Sequence, residues 1–339
     1  MHIPGRTFLF FKSNTHTMSM LRKLTLLWPE TLFTALLAVT VCLYSACSSG
    51  DDEPETPAEA ADNANRNDTS AEPALSRMEF PKVKGGGSIV VIHTTNDRFG
   101  ISFSTEWDCQ KKSQRWSCFQ MHSENAGGSV GRYGDGYPFD EDMPDHDRNY
   151  VTNEYGVNYD PFWNSGYDHG HICASADRQY SSAANRQTFF LTNMQPQYNR
   201  FNANLWAQME QQVRQWNRSG FRDTLFVCKG GTIDSDANII EYISNRSHSP
   251  VRVDDSYIPV PRYFFMAVLC KNQNGYKALG FWVEQLNQNR SGDALSQYVV
   301  SIDELEALTG IDFFCNLPDQ LENQVEGASR EEIVRSWGL

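Results

Sequence analysis

The sequence predicts an α+β fold: a mixed, mainly antiparallel β-sheet core with flanking helices. Three observations carry this expectation. Runs rich in β-branched and aromatic residues recur along the chain from residue 88 onward. The few helical patterns fall between strands that are not adjacent in sequence. There is no internal repeat, no G-x-G-x-x-G and no phosphate-binding P-loop. One domain over residues 80–339 is the simplest organisation.

In chain order, Ser88–Thr95 (SIVVIHTT) and Phe99–Asp108 (FGISFSTEWD) read as strands, and Arg115–Met121 (RWSCFQM) as their partner. Gly127–Asp147 is rich in Gly, Asp and Pro and is expected to be a long surface loop, of the kind that often carries function. Phe189–Asn193 reads as a strand end and Met194–Gln197 as a turn. Leu225–Ile233, Tyr263–Lys271 and Ala278–Glu284 are further strands. Ser301–Gly310 opens on Ser, carries acids in its first turn and closes on Gly, which marks a capped helix.

The N-terminal region differs. Arg22 and Lys23 precede an apolar stretch from Thr31 to Leu43, ending in small residues around Ser45-Ala46-Cys47. This predicts a signal peptide over residues 1–46, with translation starting at Met18 or Met20. Cys47 is the expected lipidation site of an exported protein anchored to a bacterial cell envelope, in the outer membrane and facing the periplasm or the surface. A freely secreted protein is the alternative. Residues 47–79, poor in large apolar side chains, are expected to form a disordered acidic tether. No apolar run beyond residue 50 approaches the ~20 residues that span a bilayer.

The net charge of −13 argues against a nucleic-acid partner, but the distribution does not. From Arg178 to Arg222 six arginines face one acid, Glu210, a local +5. Six cysteines follow Cys47, an even count that suits disulfides in an exported chain. Cys109 and Cys118 are close enough in sequence to clip a hairpin.

The candidate site lies between Tyr167 and Arg214. His171, in Asp168-His169-Gly170-His171, has a side chain suited to general-base work at neutral pH. Gly170 lets another element approach the backbone. Asn202, Trp206, Glu210 and Arg214 are each four apart and so share one face of a helix. Asn202, in its first turn, offers an oxygen to a hard metal ion, and Glu210 can orient metal-bound water or pair with Arg214. Each feature alone also suits a structural histidine and an amphipathic helix with a surface ion pair.

Together these residues resemble the DNA/RNA non-specific endonucleases, the family of endonuclease G and the sugar-nonspecific bacterial nucleases, built on the ββα-metal (His-Me) finger. The family pattern is D-R-G-H, then S/T-N-x-x-P-Q, then N-x-x-x-W-x-x-x-E. This chain carries Asp168–His171, Thr192–Gln197, and Asn202, Trp206 and Glu210 in that order. Asp147–Tyr150 and SIDELEALTGIDFFCNLPD extend the likeness over roughly residues 145–320. The resemblance implies an endonuclease that hydrolyses the phosphodiester bonds of DNA and RNA. It makes His171 the base that activates water, and Asn202 the only direct protein ligand of Mg2+, for which Mn2+ is expected to substitute. Glu210 becomes a partner of metal-bound water, Asn193 a positioning group, and Arg214 and Arg148 phosphate contacts. The family arginine of D-R-G-H is His169 here, and Arg178 or Arg186 are candidates to take its place. A catalytically silent binding module and a phosphodiesterase for small nucleotides are the competing readings.

Overall fold

The computed structural model describes residues 63–339 except 129, 139, 145–159, 161, 163 and 245–256. Its centre is a seven-stranded, wholly antiparallel sheet. The strands are β1 (Ser88–Thr94), β2 (Ile101–Asp108), β3 (Ser113–His122), β6 (Thr224–Gly231), β9 (Tyr263–Asn272), β10 (Gly275–Glu284) and β11 (Val299–Val300), in that spatial order. Between β3 and β6 the chain builds a separate two-stranded ladder, β4 (Asp168–His171) with β5 (Met194–Gln197). A short helix, α1 (Ser182–Gln187), lies inside that connection. A second ribbon, β7 (Ile239–Ser244) with β8 (Tyr257–Pro261), follows β6.

Strand periodicity divides the core into two layers. Phe264, Met266, Val268 and Cys270 of β9 face one way and Phe265, Ala267 and Leu269 the other, because successive strand side chains alternate. On the first face lies a π-helical turn, Phe201–Trp206, running into α2 (Ala207–Trp216). Phe201, Leu205, Trp206, Met209, Val213 and Trp216 pack there, each worth roughly 1.5–3 kcal/mol in burial. The second face is covered by α3 (Ile302–Thr309), α4 (Asp319–Glu326) and the connection between them through Ile302, Leu305, Phe313 and Val325. A last helix, α5 (Arg330–Trp337), returns Ile333 and Trp337 to the first face. α3 is capped as its sequence predicts: Ser301 Oγ accepts from Glu304 N at 3.0 Å, and Gly310 ends it at φ +70°.

Four expectations are corrected. The folded body begins by Asn63, so residues 63–79 are not tether. Their anchoring is polar and invisible to an apolar count: Asn63 Nδ2 donates to Cys315 O at 3.0 Å, and Asn67 Nδ2 to Pro81 O at 2.9 Å. Cys47 and residues 47–62 lie outside the described residues. Cys109 and Cys118 do not form the expected bridge. Cys118 lies five residues into β3, opposite Ser104 and in the second-face core, while Cys109 follows the end of β2 and packs in another cluster. Leu191–Asn193 is a 3₁₀ turn and Met194–Gln197 a strand, the reverse of the expected order, because Asn193 closes a turn that Met194 leaves in extended conformation. Finally, the helix from Asn202 begins with π rather than α geometry.

Gly170 shows why the β4 motif needs a glycine. A Cβ there would meet Gln197 Cγ at 2.4 Å and the Gln195 carbonyl oxygen at 2.6 Å. The second contact is backbone and cannot swing aside. Gly170→Ala is therefore expected to cost at least about 1–3 kcal/mol, read as a lower urea midpoint at unchanged slope.

Candidate active site

β4, β5 and the π-turn leading into α2 together form a ββα unit docked on the first face of the sheet. His171 pairs with Met194 across the ladder, and its carbonyl oxygen accepts from Trp206 Nε1 at 3.5 Å. A second tie is Gln195, whose Oε1 accepts from Gly231 N at 2.7 Å. The finger is thereby fixed to β6 and to its own helix.

His171 Nδ1 lies 3.2 Å from the His169 carbonyl, which can only accept, so Nδ1 carries the proton. Nε2 is buried and has no hydrogen-bond partner among the described residues. Burial first, and then the positive charge of Arg132, push the imidazole from 6.5 down to about 3. It is thus neutral at physiological pH, with the lone pair on Nε2. Phe189 meets the ring edge-on at 5.0 Å, and the Arg132 guanidinium lies over the same Phe189 ring at 4.7 Å.

Asn193 fixes the chain just beyond the base. Its Oδ1 accepts from Cys173 N, and its Nδ2 donates to the carbonyls of Cys173 and Thr188, all at 2.9 Å and fully buried. Thr192, its neighbour, donates to Asp140, whose carboxylate also faces buried His93 at 3.1 Å. This joins the turn to β1.

Asn202 Nδ2 donates to Asp168 Oδ2 at 3.1 Å, and Asn199 Nδ2 to the same oxygen at 3.0 Å. Asp168 therefore sets the amide's orientation and leaves Oδ1 as the group available to a ligand. Further along α2, Glu210 accepts from Lys229 Nζ at 2.9 Å, and Arg214 donates to Asp177 at 2.9 Å. Asp177 lies 3.9 Å from Lys229, closing a four-member network. Lys229 and Asp177 side chains are each 2% exposed, while Arg214 is 30% exposed, so two cations balance two anions with the centre of the network out of water. Burial raises the Glu210 carboxyl, Lys229 opposes that rise, and Asp177 adds to it. Glu210 pairs with Lys229, not with Arg214.

His169 occupies the position of the family arginine. Its Nε2 lies 2.9 Å from Asp160, and its ring stacks on Tyr137 at 4.1 Å. The two arginines suggested as substitutes are committed elsewhere. Arg178 is fully buried over Phe119, and Arg186 pairs with Glu141 at 3.0 Å. The basic island is correspondingly reduced: Arg178 and Arg222 are buried, and of the six only Arg200 and Arg218 are exposed without a described ion pair. Arg148 lies outside the described residues. Sequence reasoning missed Arg132, Asp160, Asp177 and Lys229, which come from separate segments at no fixed spacing. Asp168 was visible inside the motif.

The chain resembles known proteins throughout this region. The sequence profile of the DNA/RNA non-specific endonuclease family matches residues 88–320. A nuclease of Nostoc sp. is 25% identical over 229 residues, covering 66% of this chain and 75% of its own. Bovine mitochondrial endonuclease G is 24% identical over 213 residues, covering 62% and 66%. A nuclease of Syncephalastrum racemosum is 27% identical over 321 residues, 90% of each chain. Among solved structures, a chain from the EndoG/EndoGI complex superposes with a TM-score of 0.52 at 19% identity, over 69% of this chain and 89% of that one.

Asn193→Ala removes three buried hydrogen bonds and is expected to cost at least about 2 kcal/mol, measured by equilibrium unfolding. With the ββα finger, its histidine and its asparagine all inside the matched span, the chain belongs to the DNA/RNA non-specific endonuclease family.

Proposed function

We propose that this protein is a metal-dependent endonuclease that hydrolyses phosphodiester bonds in DNA and RNA, with His171 as general base. The single observation that carries this reading is the buried, partnerless Nε2 of a histidine held neutral by its surroundings. An orphaned acceptor in that position suits a group that removes a proton from water. The His169 carbonyl holds the opposite ring nitrogen, fixing the tautomer and keeping Nε2 aimed as the proton arrives.

The residues fit a hard divalent cation of the Mg2+ class. Asn202 offers a neutral oxygen set by Asp168, and Mg2+ keeps most of its waters, so one direct protein ligand suffices. A cation held there would neutralise charge on the phosphoryl and leaving oxygens. Glu210, which also pairs with Lys229, would accept from a metal-bound water in this reading. Arg132, beside His171 and on an exposed stretch, supplies positive charge for the scissile phosphate where His169 replaces arginine. Arg214 and Arg148 are further phosphate contacts in this reading. Export and anchoring through Cys47 would place the activity at the cell envelope, a proposal supported by the signal sequence alone.

A second reading, a silent binding module, is favoured by one feature: Asp160 places a carboxylate beside the position of the family arginine. Nicking of supercoiled plasmid in Mg2+ and its loss in EDTA separate the two, and a dinucleotide substrate tests the small-nucleotide alternative. No metal-dependent nicking across pH 5–9 would favour the silent module.

His171→Ala is expected to lower kcat by ~10²–10⁴ without unfolding the protein. The acid limb of kcat/KM should lie well below pH 6.5, since the folded imidazole protonates only as pH falls toward 3. Arg132→Ala removes a charge that depresses this pKa, so its acid limb should move to higher pH. A limb that stays fixed would disconnect Arg132 from the base.

A further inference from the structure

A second group of side chains converges on the opposite face of the sheet, away from the ββα finger. Asp303 and Glu306 project from α3 and Glu326 from the last turn of α4, with one ligand oxygen from each within 4.8 Å of the others. Two more carboxylates stand nearby: Asp312 and Glu322, both bonded to the Asn65 amide, at 3.2 and 3.0 Å. One oxygen of Glu306 is committed to the Phe313 N–H at 2.7 Å.

Glu326 is the informative member. It is only 6% exposed, and its Oε1 is buried with no hydrogen-bond partner among the described residues. A buried, unsatisfied carboxylate oxygen costs several kcal/mol unless a cation or proton meets it. Its place at a helix C-terminus adds to the cost, since the helix dipole there disfavours negative charge. Burial first, then Glu306, Glu322, Asp303 and Asp312, push Glu326 up to about 10. Nothing in the nuclease chemistry uses these residues.

We infer that Asp303, Glu306 and Glu326 form a calcium-class cation site that clips α3 to α4. Ca2+ accepts six to eight oxygen ligands at about 2.3–2.6 Å, including carboxylates and waters, and an ion at that distance from each of these oxygens spans a separation of 4.8 Å. The inventory is all oxygen, without sulfur or imidazole, which disfavours zinc and copper. Such an ion joins two helices that neighbour each other in the second-face core, beside the point where Asn65 of the N-terminal segment bonds Glu322 of α4. Its role is to stabilise the body rather than to act on substrate.

Thermal unfolding of the full-length protein, in EDTA and with rising Ca2+, tests this. Wild type should gain about 5–10 °C once Ca2+ exceeds its Kd a hundredfold. Asn202→Ala should keep that gain, which separates this site from the catalytic one. Glu326→Gln should lose the gain while keeping close to the wild-type Tm in EDTA, because without a cation it exchanges an uncharged, protonated carboxyl for an uncharged amide of similar shape, and its nuclease rate in Mg2+ should be unchanged. Asp303→Asn, at an exposed position that tolerates change, should lose most of the gain even if Glu326→Gln folds poorly. Absence of any Ca2+ response in wild type would overturn the site and leave a proton-sharing cluster. Equal responses in wild type and both carboxylate variants would overturn it too.

Discussion

The rest of the site depends on one constraint: an imidazole that must stay neutral while one of its nitrogens points at nothing in the protein. His171 meets it through two local devices. The carbonyl two residues back accepts a hydrogen bond from Nδ1–H, and burial beside Arg132 makes a second proton costly. Neither device tolerates slack. A ring free to turn would bury its donor against no acceptor, which is why Gly170 admits the β5 backbone closely and Asn193 clamps the following residues.

The helix behind the base is held by balanced charge. Glu210 meets Lys229 of β6 and Arg214 meets Asp177 of the Ser175–Arg178 turn, with Lys229 and Asp177 buried, Glu210 nearly so and Arg214 partly exposed. Removing one member of such a set typically costs 3–5 kcal/mol, because its partner stays buried and unpaired. Glu210 and Arg214 thus have structural work apart from any contact with water or phosphate. The two layers of the sheet also divide labour: the first face carries the finger, and the second carries α3, α4 and their carboxylates.

Much of this was legible in the sequence. Strand positions on the large sheet follow from continuous apolar runs, and β9, covered on both faces, has the plainest one. The α3 caps were readable because Ser301 and Gly310 act within one turn of their targets. The histidine and asparagine were found because their motif is local. What could not be read lies in long-range pairings. Arg132 meets His171 from 39 positions away, Lys229 meets Glu210 across a strand, and the polar anchoring of Asn63 and Asn67 has no hydrophobic signature. The swap of turn and strand around Asn193 arose because a buried asparagine bonded three times to backbone imitates, in sequence, the end of a strand.

The most direct test of this account is the protonation of His171 itself, followed by 15N NMR of the imidazole in the intact protein. Nδ1 is expected to be protonated and Nε2 unprotonated from pH 5 to 8, with no titration in that window. A ring that titrates near pH 6.5, or one that carries its proton on Nε2, would contradict it.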